Sequence, residues 1–152
     1  MTISVNEADK VEILTLQDNY IDLVSGDSTE MLKRALPVKG SEIKSSVLAE
    51  HGFSALVKIY TGQRSHCILF DFGFSEHGAA FNVDALGVDL KEVETLVLSH
   101  GHIDHLGGLK RLVEKVGRKG IELVVHPAAF RDRKSTRLNS SHIPLSRMPS
   151  SA

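Results

Sequence analysis

The sequence predicts a mixed α/β fold, and two stretches carry most of that prediction. Thr95-Leu96-Val97-Leu98, an amphipathic run from Leu106 to Val116, and Ile121–Val125 read as strand, helix and strand. That order makes a βαβ unit with parallel strands. Upstream, Phe53–Tyr60 and His66–Phe70 are β-prone runs joined by Thr61-Gly62-Gln63-Arg64, a hairpin signal. The chain has 152 residues, 41% of them hydrophobic, which suits one domain with a sizeable core.

Taken in order, Val11–Leu16 alternates apolar and polar residues and then turns apolar, as a first strand does. Asp18–Gly40 is turn-rich, with a short helix expected over Thr29–Leu36 and stopped by Pro37. Gly78–Leu86 is expected to be helical, with Gly87 in the stop position. Asp89 is placed to cap the next turn, with Glu92 three residues on as in a capping box. Thr95–Leu98 is continuously apolar, the mark of a strand buried on both faces. In the following helix Leu106, Leu109, Leu112, Val113 and Val116 repeat at helical spacing opposite Lys110, Arg111, Glu114 and Lys115. Gly117 or Gly120 ends it.

Charge and cysteine content narrow the function classes. There are 18 basic and 19 acidic residues, for a formal charge of −1, which offers no electrostatic reason for a nucleic-acid or membrane-surface partner. Cys67 is the single cysteine, so neither an internal disulfide nor a cysteine-rich zinc module is available. It falls inside a strand and reads as a small buried residue rather than a nucleophile. The first residues lack a signal peptide's basic start and apolar run, and a cytoplasmic location is the expectation.

Composition changes near Arg131. Residues 132–152 contain six serines and no glycine, with no helical or strand period. Asp132–His142 and Ser146–Ala152 match, in one frame, the translated ends of a widely used sequencing-library adapter. This tail is therefore read as non-native and disordered, and residues 1–131 as the N-terminal part of a longer domain. That part carries 14 basic and 18 acidic residues.

The chemistry concentrates in Leu98-Ser99-His100-Gly101-His102-Ile103-Asp104-His105-Leu106-Gly107-Gly108. Three histidines and an aspartate fall between a buried strand and a helix, where α/β proteins gather ligands. His100 and His102, two apart in an extended turn, can project to one side. Asp104 and His105 sit side by side at the helix start and are expected to point in different directions, which suits two neighbouring metal ions better than one. Imidazole and carboxylate donors favour zinc, with iron or manganese as alternatives. Gly101, Gly107 and Gly108 are expected to let the backbone approach the metals.

These residues resemble the His-x-His-x-Asp-His signature of the metallo-β-lactamase superfamily. Leu69-Phe70-Asp71-Phe72-Gly73 is similar to that family's earlier strand-end aspartate and glycine. Asp18-Asn19, Ala49-Glu50-His51-Gly52-Phe53-Ser54 and Ser99-His100-Gly101-His102 resemble a narrower group, named as dihydropterin-linked ribofuranosylaminobenzene phosphate synthases. The resemblance covers about Val11 to Phe130.

It implies the N-terminal half of an αββα sandwich, with His100 and His102 on one metal and Asp104 and His105 on a second. A hydroxide held between two divalent ions would be the nucleophile, with Asp104 also orienting it, against a small-molecule ester, phosphoester or related bond. Asp71 would hold the metal loop by hydrogen bonds. Glu50 and His51 are candidates to reach the site. His126, after the last strand, is placed near the site or in a structural role. The family's later ligands are not found after Arg131, so the fragment is expected to be inactive. Alternatives on the same scaffold are a diiron or persulfide-dioxygenase type of redox enzyme and a nucleic-acid nuclease.

Overall fold

The computed structural model describes residues 6–22, 28–34, 38–39, 42–43 and 46–130. Among the described residues, seven strands and three helices are formed: β1 (Lys10–Gln17), β2 (Val38–Lys39), β3 (Glu42–Ile43), β4 (Ser54–Thr61), β5 (Arg64–Phe70), α1 (Gly78–Ala85), β6 (Thr95–Leu98), α2 (Ile103–Leu106), α3 (Leu109–Val116) and β7 (Glu122–Val125). Short 3-10 turns cover Leu90–Glu92 and Pro127–Phe130. The segment read as an adapter-derived tail lies outside the described residues.

Five strands form one sheet in the order β1-β4-β5-β6-β7, and β2 pairs with β3 in a separate two-stranded ladder. β1·β4 and β4·β5 are antiparallel, whereas β5·β6 and β6·β7 are parallel. The predicted hairpin closes through Gly62 and Gln63, with Thr61 opposite Arg64. Gly62 has φ +59 while Gln63 stays at negative φ, the pattern of a tight turn with glycine first. The predicted βαβ unit forms around β6 and β7, with Leu96 beside Leu123 and Leu98 beside Val125.

Alternation puts Leu16, Leu56, Leu69, Leu96 and Leu98 on the sheet face that packs against α1 and α3. Ala79, Ala80 and Val83 of α1 and Leu112 and Val116 of α3 close that core. On the other face Ile13 is 67% exposed and Val124 49% exposed. The register of β1 slips between Thr15 and Gln17, so that Leu16 and Gln17 are both buried. Buried Asn82 fastens the chain between them, donating to the carbonyls of Leu16 and Leu48 while accepting from the Leu48 N–H. Cys67 is buried in β5 as expected, and burial pushes its thiol up.

Two local expectations need correction. The described part of Thr29–Leu36, residues 29–34, contains no helix. Thr29 Oγ1 instead accepts from the Leu32 N–H, a side-chain turn that competes with helix formation. Met31 and Leu32 are exposed, so no apolar stripe exists here to reward a helix. The helix expected from Leu106 to Val116 is divided, with α2 ending at Leu106 and α3 beginning at Leu109. The cap expected at Asp89 does form, its carboxylate accepting from the Lys91 N–H, but Glu92 pairs with Lys58.

Candidate metal centre

The His- and Asp-rich segment leaves the sheet where two parallel strands end side by side. Phe70 is opposite Val97, so Asp71 and Ser99 emerge beside each other at one edge. Backbone hydrogen bonds lace three loops together there. Phe72 N–H donates to the His105 carbonyl (2.9 Å), Gly107 N–H to the Gly73 carbonyl (2.9 Å), and Phe53 N–H to the Asp104 carbonyl (3.2 Å).

The glycines are needed where these loops touch. A Cβ on Gly107 would lie 1.6 Å from the Phe74 carbonyl oxygen. One on Gly108 would lie 2.2 Å from that of Phe72, and one on Gly101 2.2 Å from that of Ala129. Each glycine therefore touches a neighbouring loop's backbone, where a side chain would not fit.

Asp71 is the hub of the site. It is 1% exposed and sits at φ +53, a left-handed conformation unusual for a residue with a side chain. Its Oδ1 accepts from the Ser99 N–H at 2.8 Å. Its Oδ2 accepts from Ser99 Oγ at 2.7 Å and faces His105 Nδ1 at 2.7 Å. Its own carbonyl accepts from the buried Ser54 hydroxyl.

The candidate donors gather in front of this hub. His100 Nε2 is 3.0 Å from His102 Nδ1, and the ring centroids of His100 and His105 are 4.3 Å apart. Asp104 Oδ2 is 3.5 Å from His105 Nε2 and 3.3 Å from His51 Nε2. Asp104 and His105 thus converge instead of diverging as expected. The β-region backbone of His102 (φ −78, ψ 148) lets the chain turn into α2 between the two donor pairs. Burial, reinforced by the neighbouring His105 and His102 rings, holds His100 below the usual imidazole range.

The remaining candidates divide by where their side chains go. His51 is exposed, meets Asp104 and lies edge-on to Phe74 at 6.3 Å. The Glu50 carboxylate accepts from the Ser75 N–H. The ring of His126 accepts from the Ala128 N–H within its own turn. Asn19 accepts from the Gly52 N–H, which ties the Asp18-Asn19 pair to the His51 loop. Ser99 received no role of its own from the sequence. Its signal was a hydroxyl just before His100, at a strand end neighbouring that of Asp71.

A family model described as the metallo-β-lactamase superfamily matches residues 49–143. The chain belongs to that superfamily. Its five-stranded sheet and helices are the mixed α/β arrangement of the metallo-β-lactamase fold. Over 131 residues it is 24% identical to the 7,8-dihydropterin-6-methyl-4-(β-D-ribofuranosyl)-aminobenzene-5′-phosphate synthase of Methanocaldococcus jannaschii, covering 86% of this chain and 37% of that protein. It is 36% identical over 85 residues to an uncharacterised protein of the same organism, covering 56% of this chain and 31% of that protein. The chain thus spans about a third of the length of these relatives. Among solved structures, the Rm3 metallo-β-lactamase is 31% identical with a TM-score of 0.38, covering 55% of this chain and 29% of that one. A Cronobacter sakazakii metallo-β-lactamase is 33% identical with a TM-score of 0.36, covering 47% and 27% respectively.

Divalent metals are general in the metallo-β-lactamase superfamily, and the donors present here fit such ions chemically. Two ligands at about 2.0–2.1 Å from a tetrahedral zinc lie roughly 3.3–3.4 Å apart. The His100–His102 and Asp104–His105 donor pairs, at 3.0 and 3.5 Å, bracket that separation. Among the described residues, no group of three or more His, Cys, Asp or Glu side chains is arranged to hold one ion. No helix among them is long and apolar enough to cross a membrane.

Proposed function

We propose that this chain carries two donor pairs of a two-metal hydrolytic centre acting on an ester, phosphoester or related bond of a small molecule. The observation that supports this most is the pairing of donor atoms at ligand-like separations, His100 Nε2 with His102 Nδ1 and Asp104 Oδ2 with His105 Nε2. His100 and His102 would hold one ion, and Asp104 and His105 the other, with zinc first and iron or manganese as alternatives. Such ions supply Lewis acidity and lower the pKa of a coordinated water.

The chain's own residues do the rest. Asp104, 7% exposed, is the catalytic candidate and would both ligate and orient the attacking oxygen. Asp71 keeps the His105 ring turned with Nε2 outward. His51, beside Asp104, and Phe74, edge-on to the His51 ring, would meet a small substrate there. Glu50 and His126 act near the site through the loops they brace. The acidic balance of residues 1–131 supports a small-molecule substrate over a nucleic acid, because phosphate backbones are bound by clustered Lys and Arg. A reducing, cytoplasmic setting suits the single buried thiol.

Zinc titration of the 152-residue chain tests this reading, alongside His100→Ala, His105→Ala and the double variant. Weak uptake that falls in each single variant, and nearly vanishes in the double, is expected. Hydrolysis of p-nitrophenyl esters and phosphodiesters should not exceed that of free zinc, because each ion has only two of its ligands here. Uptake unchanged in the double variant would remove the reading.

A further inference from the structure

We infer that Ser99 is a positioning residue which sets the tautomer of His100, so that one buried carboxylate, Asp71, orients an imidazole in each donor pair. The inference rests on the metal-centre reading for its purpose, but its geometry stands without any ion.

An ionised carboxylate only accepts hydrogen bonds. Asp71 Oδ2 therefore takes the hydroxyl proton of Ser99 across 2.7 Å. A serine has one such proton, so only lone pairs remain on Ser99 Oγ for a second partner. That partner is His100 Nδ1, 2.9 Å away. The contact is a hydrogen bond only if His100 carries its proton on Nδ1 and donates it. His100 Nε2 is then bare and directed at His102 Nδ1, where a ligand atom is needed. His105 obeys the same logic without an intermediary, since its Nδ1 donates straight to Asp71 Oδ2 across 2.7 Å.

The hydroxyl earns its place through length. Asp71 reaches His105 directly but meets His100 only through Ser99. The Ser99 N–H, bonded to Asp71 Oδ1 at 2.8 Å, prevents the serine from swinging away. An isolated neutral imidazole has no such constraint and is free to place its proton on Nε2, blocking the donor. Substituting alanine would leave the backbone bond to Asp71 intact and delete only the relay. Loss of folding and loss of tautomer control are therefore separable.

The test uses the 152-residue chain, metal-free at about pH 8, with long-range proton–nitrogen correlation of the histidine rings. Wild type is expected to show His100 protonated on Nδ1. Ser99→Ala should move His100 towards the Nε2-protonated form while His105 stays unchanged, and Ser99→Thr should restore the wild-type pattern. A cobalt(II) titration read by its d–d absorption should show Ser99→Ala weakened about tenfold or more, with Ser99→Thr recovering most of the loss. A wild-type His100 protonated on Nε2, or one indifferent to Ser99→Ala, would overturn the inference. If Ser99→Ala does not fold, the wild-type tautomer and the threonine variant still decide. A chain with the expected tautomer that takes up no metal would support the relay and sink the metal-centre reading.

Discussion

Gly107→Ala sets two physical effects against each other. Gly107 has an ordinary helical backbone, φ −60 and ψ −37, so propensity alone favours alanine by up to about 1 kcal/mol. The new Cβ would, however, stand 1.6 Å from the Phe74 carbonyl oxygen, where real contacts are essentially never under 3.0 Å. The 71–75 loop and α2 must therefore part by about 1.4 Å, the difference between those two distances. The Gly107–Gly73 and His105–Phe72 backbone hydrogen bonds, both 2.9 Å, span that seam and would not survive it. Two lost bonds, with partly buried groups left unpaired, cost about 2–5 kcal/mol. After the propensity gain, a net loss of roughly 1–4 kcal/mol is expected. Equilibrium urea unfolding followed by circular dichroism would show it as a midpoint lowered by about 1–2 M at unchanged slope. Gly117→Ala is the control, because its φ of +66 is strained but its nearest neighbour is 3.9 Å away, so only about 1–2 kcal/mol should be lost. A Gly107→Ala chain as stable as wild type, or less affected than Gly117→Ala, would refute the reasoning.

Asp71→Asn keeps the shape and tolerates the positive φ, but places an amide donor among three groups that already donate. The urea midpoint should fall by the equivalent of about 2–4 kcal/mol, and a change under about 0.5 kcal/mol would contradict the role of Asp71 as hub. In the metal-free chain, His100 is held below its unfolded value of about 6.5, so its protonation favours the unfolded state. Its contribution is complete above that pH and is lost as pH falls through the lower folded value. Wild type should lose more stability than His100→Asn between about pH 8 and pH 5, and parallel curves would count against it. Cys67 should react slowly with a thiol reagent in native buffer and rapidly in urea, since its thiol is buried and pushed up. Immediate labelling of the folded chain would place the strand differently.

What the sequence revealed, and what it hid, follows from the range of the interactions involved. The hairpin at Gly62 was legible because turn residue and strand alternation lie within a few residues of each other. The α3 stripe was legible for the same reason, at helical period. The break before α3 was not, because its glycines pack against the Phe72 and Phe74 carbonyls, which come from a loop more than 30 residues earlier in the chain. The left-handed backbone of Asp71 was hidden too, since aspartate carries no glycine-like mark. The donor cluster was visible because His100, His102, Asp104 and His105 are contiguous. Ser99 was not singled out, because its meaning depends on pairing β5 with β6 in a register that sets Phe70 beside Val97.

The strand order then explains which outlying candidates reach the donors. Asp71 follows β5, the donor loop follows the adjacent β6, and His126 follows β7 on the far side of β6. His51 precedes β4, which runs antiparallel to β5 and so begins at the edge where β5 ends. Neighbouring strands are about 4.8 Å apart, so residues at these ends stand within roughly one side chain of the loop or two. Reach alone therefore does not separate His51 from His126. The local backbone does. Gly52, at φ +123 and pressed against the Asp104 carbonyl, folds the His51 loop over α2 and brings Nε2 to 3.3 Å from the Asp104 carboxylate. Beyond β7 the chain instead winds into the 127–130 turn, whose Ala128 N–H occupies Nδ1 of His126. Two histidines at the same sheet edge thus take different parts, one facing the donors and one holding its own turn.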